Sequence, residues 1–327
     1  MSIFKNTQYL NPKYDRFNKY VNIMFKGAWT PAKYEKLIKD QDVPYYFNQM
    51  GADARESIRR CILAVAGVED RVKAFWAVIF LDLPQTIISD VSGVFSNSEV
   101  VHRRSYHSLV ENLKIDLNEL NTCPALSGRL AYLNKHLEKD PKITGRKQIL
   151  KKVVLFTALV ERISLFTQFY ILMSFSFRNK ELNTIAALQQ TTAKEELVHY
   201  SFGLDLINEI KSEEPALWDE YLQELVVKSL SEAYKAELNL IDWFFEKGVP
   251  SHISKEEVVN FMNFNFNEVC KDLKIDLSYK VNQEMFKEKN QWFIVETKNT
   301  IEPDFFDNAV GGYSSEEVLV DVSTFKF

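Results

Sequence analysis

The sequence predicts an all-α fold, a bundle of long helices carrying a C-terminal tail. Three observations predict it. Ten glycines and nine prolines among 327 residues make about 6% of the chain, about half the usual share, so turn-rich β architectures are disfavoured. Apolar residues recur at helical spacing through most of the chain, and no β-rich stretch occurs before residue 285. Hydrophobic residues make up 46% and aromatics 13%, enough for a large core.

Residues 1–28 are polar and aromatic without clear periodicity and are expected to wrap the surface. Trp29-Thr30-Pro31 opens a short helix, because threonine caps and proline suits the first helical position. From Asp53 to about Leu81, Ile58, Ile62, Val65, Val68 and Ala74 mark a helix. Pro84 interrupts it, and the next helix runs to about Asn112. Shorter helices are expected around 116–139, followed by the linker Lys139-Asp140-Pro141-Lys142. Long helices follow at about 145–178, 183–210 and 215–246. Gly248 to Ser251 ends that run, and Ser254 with Glu257 forms a capping-box signature for a helix to about 273. The expected division is a helical domain over 1–285 and a flexible tail over 286–327, whose last residues, Ser323 to Phe327, are apolar-tipped.

Composition also excludes. The net charge of −5 argues against a broad nucleic-acid surface. Three cysteines, Cys61, Cys123 and Cys270, lie far apart with no CxxC, which fits a reducing cytoplasm better than a disulfide framework. The N-terminus has no basic start or apolar run of a secretory leader. Val153 to Phe177 is long enough to cross a bilayer, but Glu161, Arg162 and Gln168 near its middle point instead to a central helix of a soluble bundle. Phosphate-cradling loops, dinucleotide fingerprints and nucleophile elbows are missing.

Only five histidines occur, and two complete one pattern: Glu99-Val100-Val101-His102 and Glu196-Leu197-Val198-His199. On a helix, three residues turn about 300°, so glutamate and histidine point to one side and can bind one ion. Bundle di-metal sites use this unit twice, with one more carboxylate from each of two other helices. Glu69 and Glu161 stand upstream of the first and second unit in two apolar helices. A carboxylate inside an apolar helix is costly unless paired or metal-bound. Asp70 is a rival to Glu69. Tyr106, seven residues past Glu99, shares its helix face and lies one turn beyond His102.

On these residues the chain resembles the small, radical-generating subunit of class I ribonucleotide reductase, a ferritin-like di-metal carboxylate family. The resemblance spans about residues 25–275 and the tail. It is carried by Trp29 in the WTP segment, Glu69, SEVVHRRSY (Ser98 to Tyr106), LVERISLFTQFY (Leu159 to Tyr170) and KEELVH (Lys194 to His199). It implies a ferritin-like helical bundle in which Glu69, Glu99, His102, Glu161, Glu196 and His199 hold two iron ions, two manganese ions or one of each. It further implies that Tyr106 is the radical tyrosine and Trp29 the electron relay. Glu195 would link Trp29 to a ligand histidine, and Tyr313 would be the mobile relay in the tail. The implied partners are the large catalytic subunit, which reduces ribonucleotides to deoxyribonucleotides, and a second copy in a homodimer. A flavoprotein activase is left open, and no nucleic acid or membrane is involved. Departures are Glu69 and Glu195, where the family more often has aspartate, and a Glu69–Glu99 spacing about one residue short. The family surrounds its tyrosine with apolar side chains, a role open here to Leu165 and Phe169. A stand-alone di-iron oxidase or oxygenase of the same superfamily shares the two motifs. Tyr106, the WTP segment and the tail favour the reductase.

Overall fold

The computed structural model of the protein describes residues 2–6, 10–143 and 145–298. The helices that matter for the site are α1 (Asn18–Lys26), α2 (Ala52–Asp82), α3 (Thr86–Asn112), α4 (Pro124–Leu137), α5 (Gly145–Leu155), α6 (Ser164–Asn179), α7 (Asn183–Glu213), α8 (Glu220–Phe244), α9 (Lys255–Leu273) and α10 (Gln291–Lys298). No strand occurs among the described residues, and none of the described helices is long and apolar enough to cross a membrane. The all-α bundle is as expected.

The long helices end where local chemistry requires it. Pro84 disfavours helical backbone at Leu83, and α2 stops at Asp82. Asp219 caps α8 by accepting from the Leu222 amide, and Ser254 caps α9 by accepting from the Glu257 amide. Only half of the expected capping box forms, because the Glu257 carboxylate turns to Tyr170 and Arg178 instead. Between α5 and α6 the predicted continuous helix is broken by a π-helical segment, Phe156–Ile163. Such widened turns re-aim side chains, and this one contains Glu161.

Helices α2 and α3 pack along each other, α7 packs on α6 and on the π segment, and α2 completes the layer against α6. Helix α8 lies on α4, and α9 closes over α6 and α8. The core between α2, α3, the π segment and α7 is sealed by Trp76, Phe95, Phe156 and Phe202, all fully or almost fully buried.

Two expectations are corrected. Residues 12–26 do not wrap irregularly: a 3-10 turn, Pro12–Phe17, leads into α1, and Tyr14, Phe17, Tyr20 and Met24 are buried. Their spacing of three and four is helical, and aromatic bulk supplies the apolar face. The tail does not begin at 286 either. Phe286–Asn290 is π-helical and continues into α10, where Phe293 is fully buried against Phe166, Tyr170 and Phe261. Asn290 donates to the Tyr170 hydroxyl at 3.0 Å and to the Glu257 carbonyl at 3.1 Å, fastening the segment. The packed domain therefore reaches residue 298. Tyr313 and the apolar tip lie outside the described residues.

Candidate metal centre

Four elements each bring carboxylates inward. Helix α2 supplies Glu69, α3 supplies Glu99 and His102, the π segment supplies Glu161, and α7 supplies Glu196 and His199. None is more than 1% exposed. The Nδ1 of His199 lies 3.0 Å from Glu99 Oε1, 3.1 Å from Glu196 Oε2 and 3.7 Å from Glu161 Oε2. The Nδ1 of His102 lies 3.0 Å from Glu196 Oε1 and 3.7 Å from Glu99 Oε2. Two overlapping sets result: Glu99, Glu161, Glu196 and His199, and Glu69, Glu99 and His102. In each set one ligand atom per residue lies within 4.8 Å of all the others. Glu99 belongs to both, so its two oxygens can face two ions. The side chain of Asp70, the rival to Glu69, lies outside the described residues.

The donors fit a pair of cations. Both oxygens of Glu69 and of Glu99, Glu161 Oε2, Glu196 Oε1 and His102 Nδ1 are buried without a hydrogen-bond partner. Native interiors leave few such atoms, and a buried carboxylate without compensation is expensive. Burial, reinforced by neighbouring carboxylates, pushes the Glu69 and Glu161 carboxyls well above their ordinary range. Burial depresses the His102 and His199 imidazoles, but interactions with the surrounding carboxylates outweigh it and leave both raised. A cluster of four glutamates and two histidines that draws in positive charge in this way is suited to two divalent or trivalent ions.

Around these six residues stands an ordered layer of partners. Glu195 Oε2 lies 2.6 Å from His102 Nε2 and also accepts from the half-buried Trp29 indole at 3.0 Å. The Trp29 and His102 rings are 6.1 Å apart. Glu195 thus joins the Trp29 indole to the His102 ring, and a cleft of about 250 Å³ lined in part by Trp29, Ser98 and Glu195 lies over the contact. His199 Nε2 meets Ser98 Oγ at 3.1 Å, and that hydroxyl donates to the Phe95 carbonyl at 2.9 Å. The Trp76 indole donates to Glu161 Oε1 at 2.5 Å, leaving Oε2 directed at the cluster.

Tyr106 is fully buried on α3, and its hydroxyl donates to Gln189 Oε1 at 2.7 Å. Burial pushes the phenol well above its usual ionisation, the Glu69 charge adds to this, and the Thr192 hydroxyl opposes it. Leu165 and Phe169 are fully buried, but the partner of the phenol oxygen is an amide. Sequence reasoning missed Trp76, Ser98, Gln189 and Thr192. A signal existed for three of them: Trp76 is seven residues after Glu69, and Gln189 and Thr192 are seven and four before Glu196, all on the faces of those ligands.

A family model described as "Ribonucleotide reductase, small chain" matches residues 6–290. A curated relative, the ribonucleoside-diphosphate reductase subunit beta of Chlamydia pneumoniae, is 31% identical over 105 residues, which cover 32% of this chain and 30% of the relative. Among solved structures, a ribonucleotide reductase R2 subunit from Clostridium botulinum is similar with a TM-score of 0.79 at 14% identity, over 91% of this chain and 94% of that one. A putative class I ribonucleotide reductase from Bacillus halodurans gives 0.76 at 17% identity, over 86% and 99%. An R2-like ligand-binding oxidase with a Mn/Fe cofactor gives 0.64 at 14%, over 81% and 94%. At these identities the solved structures speak for the fold.

Proposed function

The chain belongs to the ribonucleotide reductase small-chain family, and from that premise we propose that it stores an oxidising equivalent for a large catalytic subunit that reduces ribonucleotides to deoxyribonucleotides. Glu69, Glu99, His102, Glu161, Glu196 and His199 would hold two manganese ions, two iron ions or one of each. Once treated with dioxygen or a reduced oxygen species, such a pair supplies a one-electron oxidant beside Tyr106.

The chain's own residues do the rest. Trp76 fixes one oxygen of Glu161, so that only the other is offered inward. Glu195 accepts from His102 and Trp29 together, which orients the imidazole and joins it to a half-buried indole. Phe95, Phe156 and Phe202 keep bulk water from the cluster. Tyr106, shielded from solvent, holds the phenol that gives up one electron and one proton. The tail, with Tyr313, carries the exchange onward to the large subunit, and the small subunit acts as a cytoplasmic homodimer.

The observation that supports this reading best is the unbroken run from Trp29 through Glu195 to His102. A self-contained oxidase has no need of a hydrogen-bonded path from its metals to an indole near the surface. Two variants test it. Reconstitution with metal in air should give a tyrosyl electron-spin resonance signal that Tyr106→Phe removes. Deleting residues 305–327 should spare that signal and abolish turnover with the large subunit. A signal that persists unchanged in Tyr106→Phe rejects Tyr106, and turnover indifferent to the deletion favours the stand-alone oxidase.

A further inference from the structure

The contact between Tyr106 and Gln189 has no place in the assignment above. The phenol oxygen, Gln189 and Thr192 are all fully buried. The hydroxyl donates to Gln189 Oε1 at 2.7 Å, whereas Gln189 Nε2 has no partner. An unpartnered amide nitrogen in a dry core costs stability and calls for an explanation.

A primary amide can serve either protonation state of a phenol. Its oxygen accepts from O–H, and its nitrogen donates to a bare oxygen. Turning the amide about its last torsion exchanges the two atoms. Here the turn breaks nothing else, because Nε2 starts without a partner and Oε1 serves only Tyr106. The unused N–H is what a deprotonated, oxidised tyrosine would require.

We propose that Gln189 is a two-way hydrogen-bond partner of Tyr106, accepting from the phenol in the reduced protein and, after its amide turns over, donating to the phenoxyl oxygen of the oxidised one. The inference rests on the radical role given to Tyr106 above. In the step, the phenol O–H bond breaks. As the phenol turns its O–H from Gln189 toward the cluster, the electron and the proton would both pass to the one-electron oxidant already named, which would be reduced by one electron. The amide oxygen is too weak a base to keep the proton, so Gln189 is a positioning residue and not a base. The stored radical is therefore hydrogen-bonded, and its oxygen is held on the α7 side of the site.

Two measurements on the full chain test this. With 3-fluorotyrosine at position 106 in metal-free protein, Gln189→Met should shift the fluorine resonance, and Gln189→Glu, which keeps an acceptor, should restore much of it. In metal-loaded, air-oxidised protein exchanged into D2O, electron–nuclear double resonance should show one exchangeable deuteron coupled to the phenoxyl. That coupling should be lost, and the largest g value should rise, in Gln189→Met but not in Thr192→Val. A fluorine shift indifferent to Gln189→Met overturns the contact. A coupling that survives Gln189→Met and vanishes in Thr192→Val gives the role to Thr192 and overturns the proposal. Absence of any phenoxyl signal in all variants rejects the radical role of Tyr106 and the turnover of the amide with it. In that case the fluorine shift separately decides the resting hydrogen bond.

Discussion

Gly203→Ala should weaken metal binding through a contact one helical turn away from the ligands. A Cβ at Gly203 would lie 2.5 Å from Thr157 Cγ2 and 2.9 Å from Thr157 Cβ, and would also collide with Oγ1. Turning Thr157 to another rotamer moves Oγ1 and Cγ2, but Cβ is fixed to the backbone. The remaining approach is about 0.6 Å short of the ~3.5 Å at which carbons rest against each other, so α7 and the π segment must part by roughly that much. Gly203 is four residues after His199, and Thr157 is four before Glu161, so the turns forced apart are those that set these two ligands. Metal–ligand distances tolerate only about 0.2 Å. Overpacking of this kind costs about 1–3 kcal/mol, which should lower the melting temperature of the metal-free protein by a few degrees. Manganese(II) affinity at the His199 side should fall on the order of tenfold or more. Titration against a chromophoric chelator reads the affinity, and thermal denaturation of the metal-free chain reads the packing cost. Thr157→Ala in the same chain should recover part of the affinity. Its hydroxyl has no partner to lose. Thr157→Gly should recover nearly all of it. An unchanged affinity in Gly203→Ala, or a loss that neither second substitution repairs, would refute the reasoning.

Three further outcomes are expected. Arg129 and Glu237 form a buried pair, with Arg129 Nε 2.9 Å from Glu237 Oε1 and Tyr132 also donating to that oxygen at 3.2 Å. Arg129→Met should cost about 3–5 kcal/mol in urea denaturation, and adding Glu237→Leu should return much of it, because the stranded charge is removed. Phe293→Ala should cost about 3–5 kcal/mol and open residues 283–298 to limited proteolysis, whereas a tail that began at 286 would show neither effect. Between pH 5 and 8 the metal-free protein should lose stability as pH rises. Glu69, Glu161, His102 and His199 are all shifted upward in the fold, so the native state keeps protons that the unfolded chain has released. Glu56, held down to about 2 chiefly by its hydrogen bond from Arg59, loses its contribution only as pH falls toward that value, below this window. Saturating manganese(II) should replace those protons, so the gap in melting temperature between loaded and free protein should widen with pH. A constant gap would contradict this.

Much of the site was legible because its chemistry is written at helical spacing. Two Glu-x-x-His units and two carboxylates in apolar helices name six residues without coordinates, since each is an exception to the pattern around it. Residues that obey their pattern stay hidden. Trp76 and Gln189 look like ordinary members of amphipathic helices, and only packing of α2 on the π segment and of α3 on α7 discloses their partners. The π turn was hidden for a similar reason: Phe156–Ile163 is buried throughout, so no polar face exists whose phase could slip visibly. The segment 286–298 was misread because most of its apolar residues fall in one run, Trp292 to Val295, rather than at helical spacing, and part of its anchor is polar. Asn290 holds to Tyr170 and Glu257, and no periodicity announces a hydrogen bond. Residues 12–26 were misread despite their period, since aromatic and charged residues alternate too closely there for the apolar face to stand out.

The two Glu-x-x-His units are equal in sequence and unequal in their surroundings, and that inequality gives the site a direction. His102 Nε2 faces a carboxylate. A negative acceptor pulls the N–H proton toward itself and makes the opposite nitrogen a stronger donor to a cation. His199 Nε2 faces a serine hydroxyl whose own proton is committed to the Phe95 carbonyl, so it meets a neutral acceptor and gains less. Beyond Glu195 comes Trp29 and the cleft. Beyond Ser98, the His199 ring lies 4.2 Å from Phe95 and 6.1 Å from Trp76, inside the aromatic wall. One end of the cluster is therefore wired outward and electron-rich, and the other is insulated. Tyr106 stands one turn beyond His102, on the wired helix. If the site stores an oxidising equivalent as proposed, His102 on α3 and Glu195 on α7 would form the path by which it leaves, and Trp76 on α2, Phe95 on α3, Phe156 in the π segment and Phe202 on α7 would form the walls that prevent its loss elsewhere.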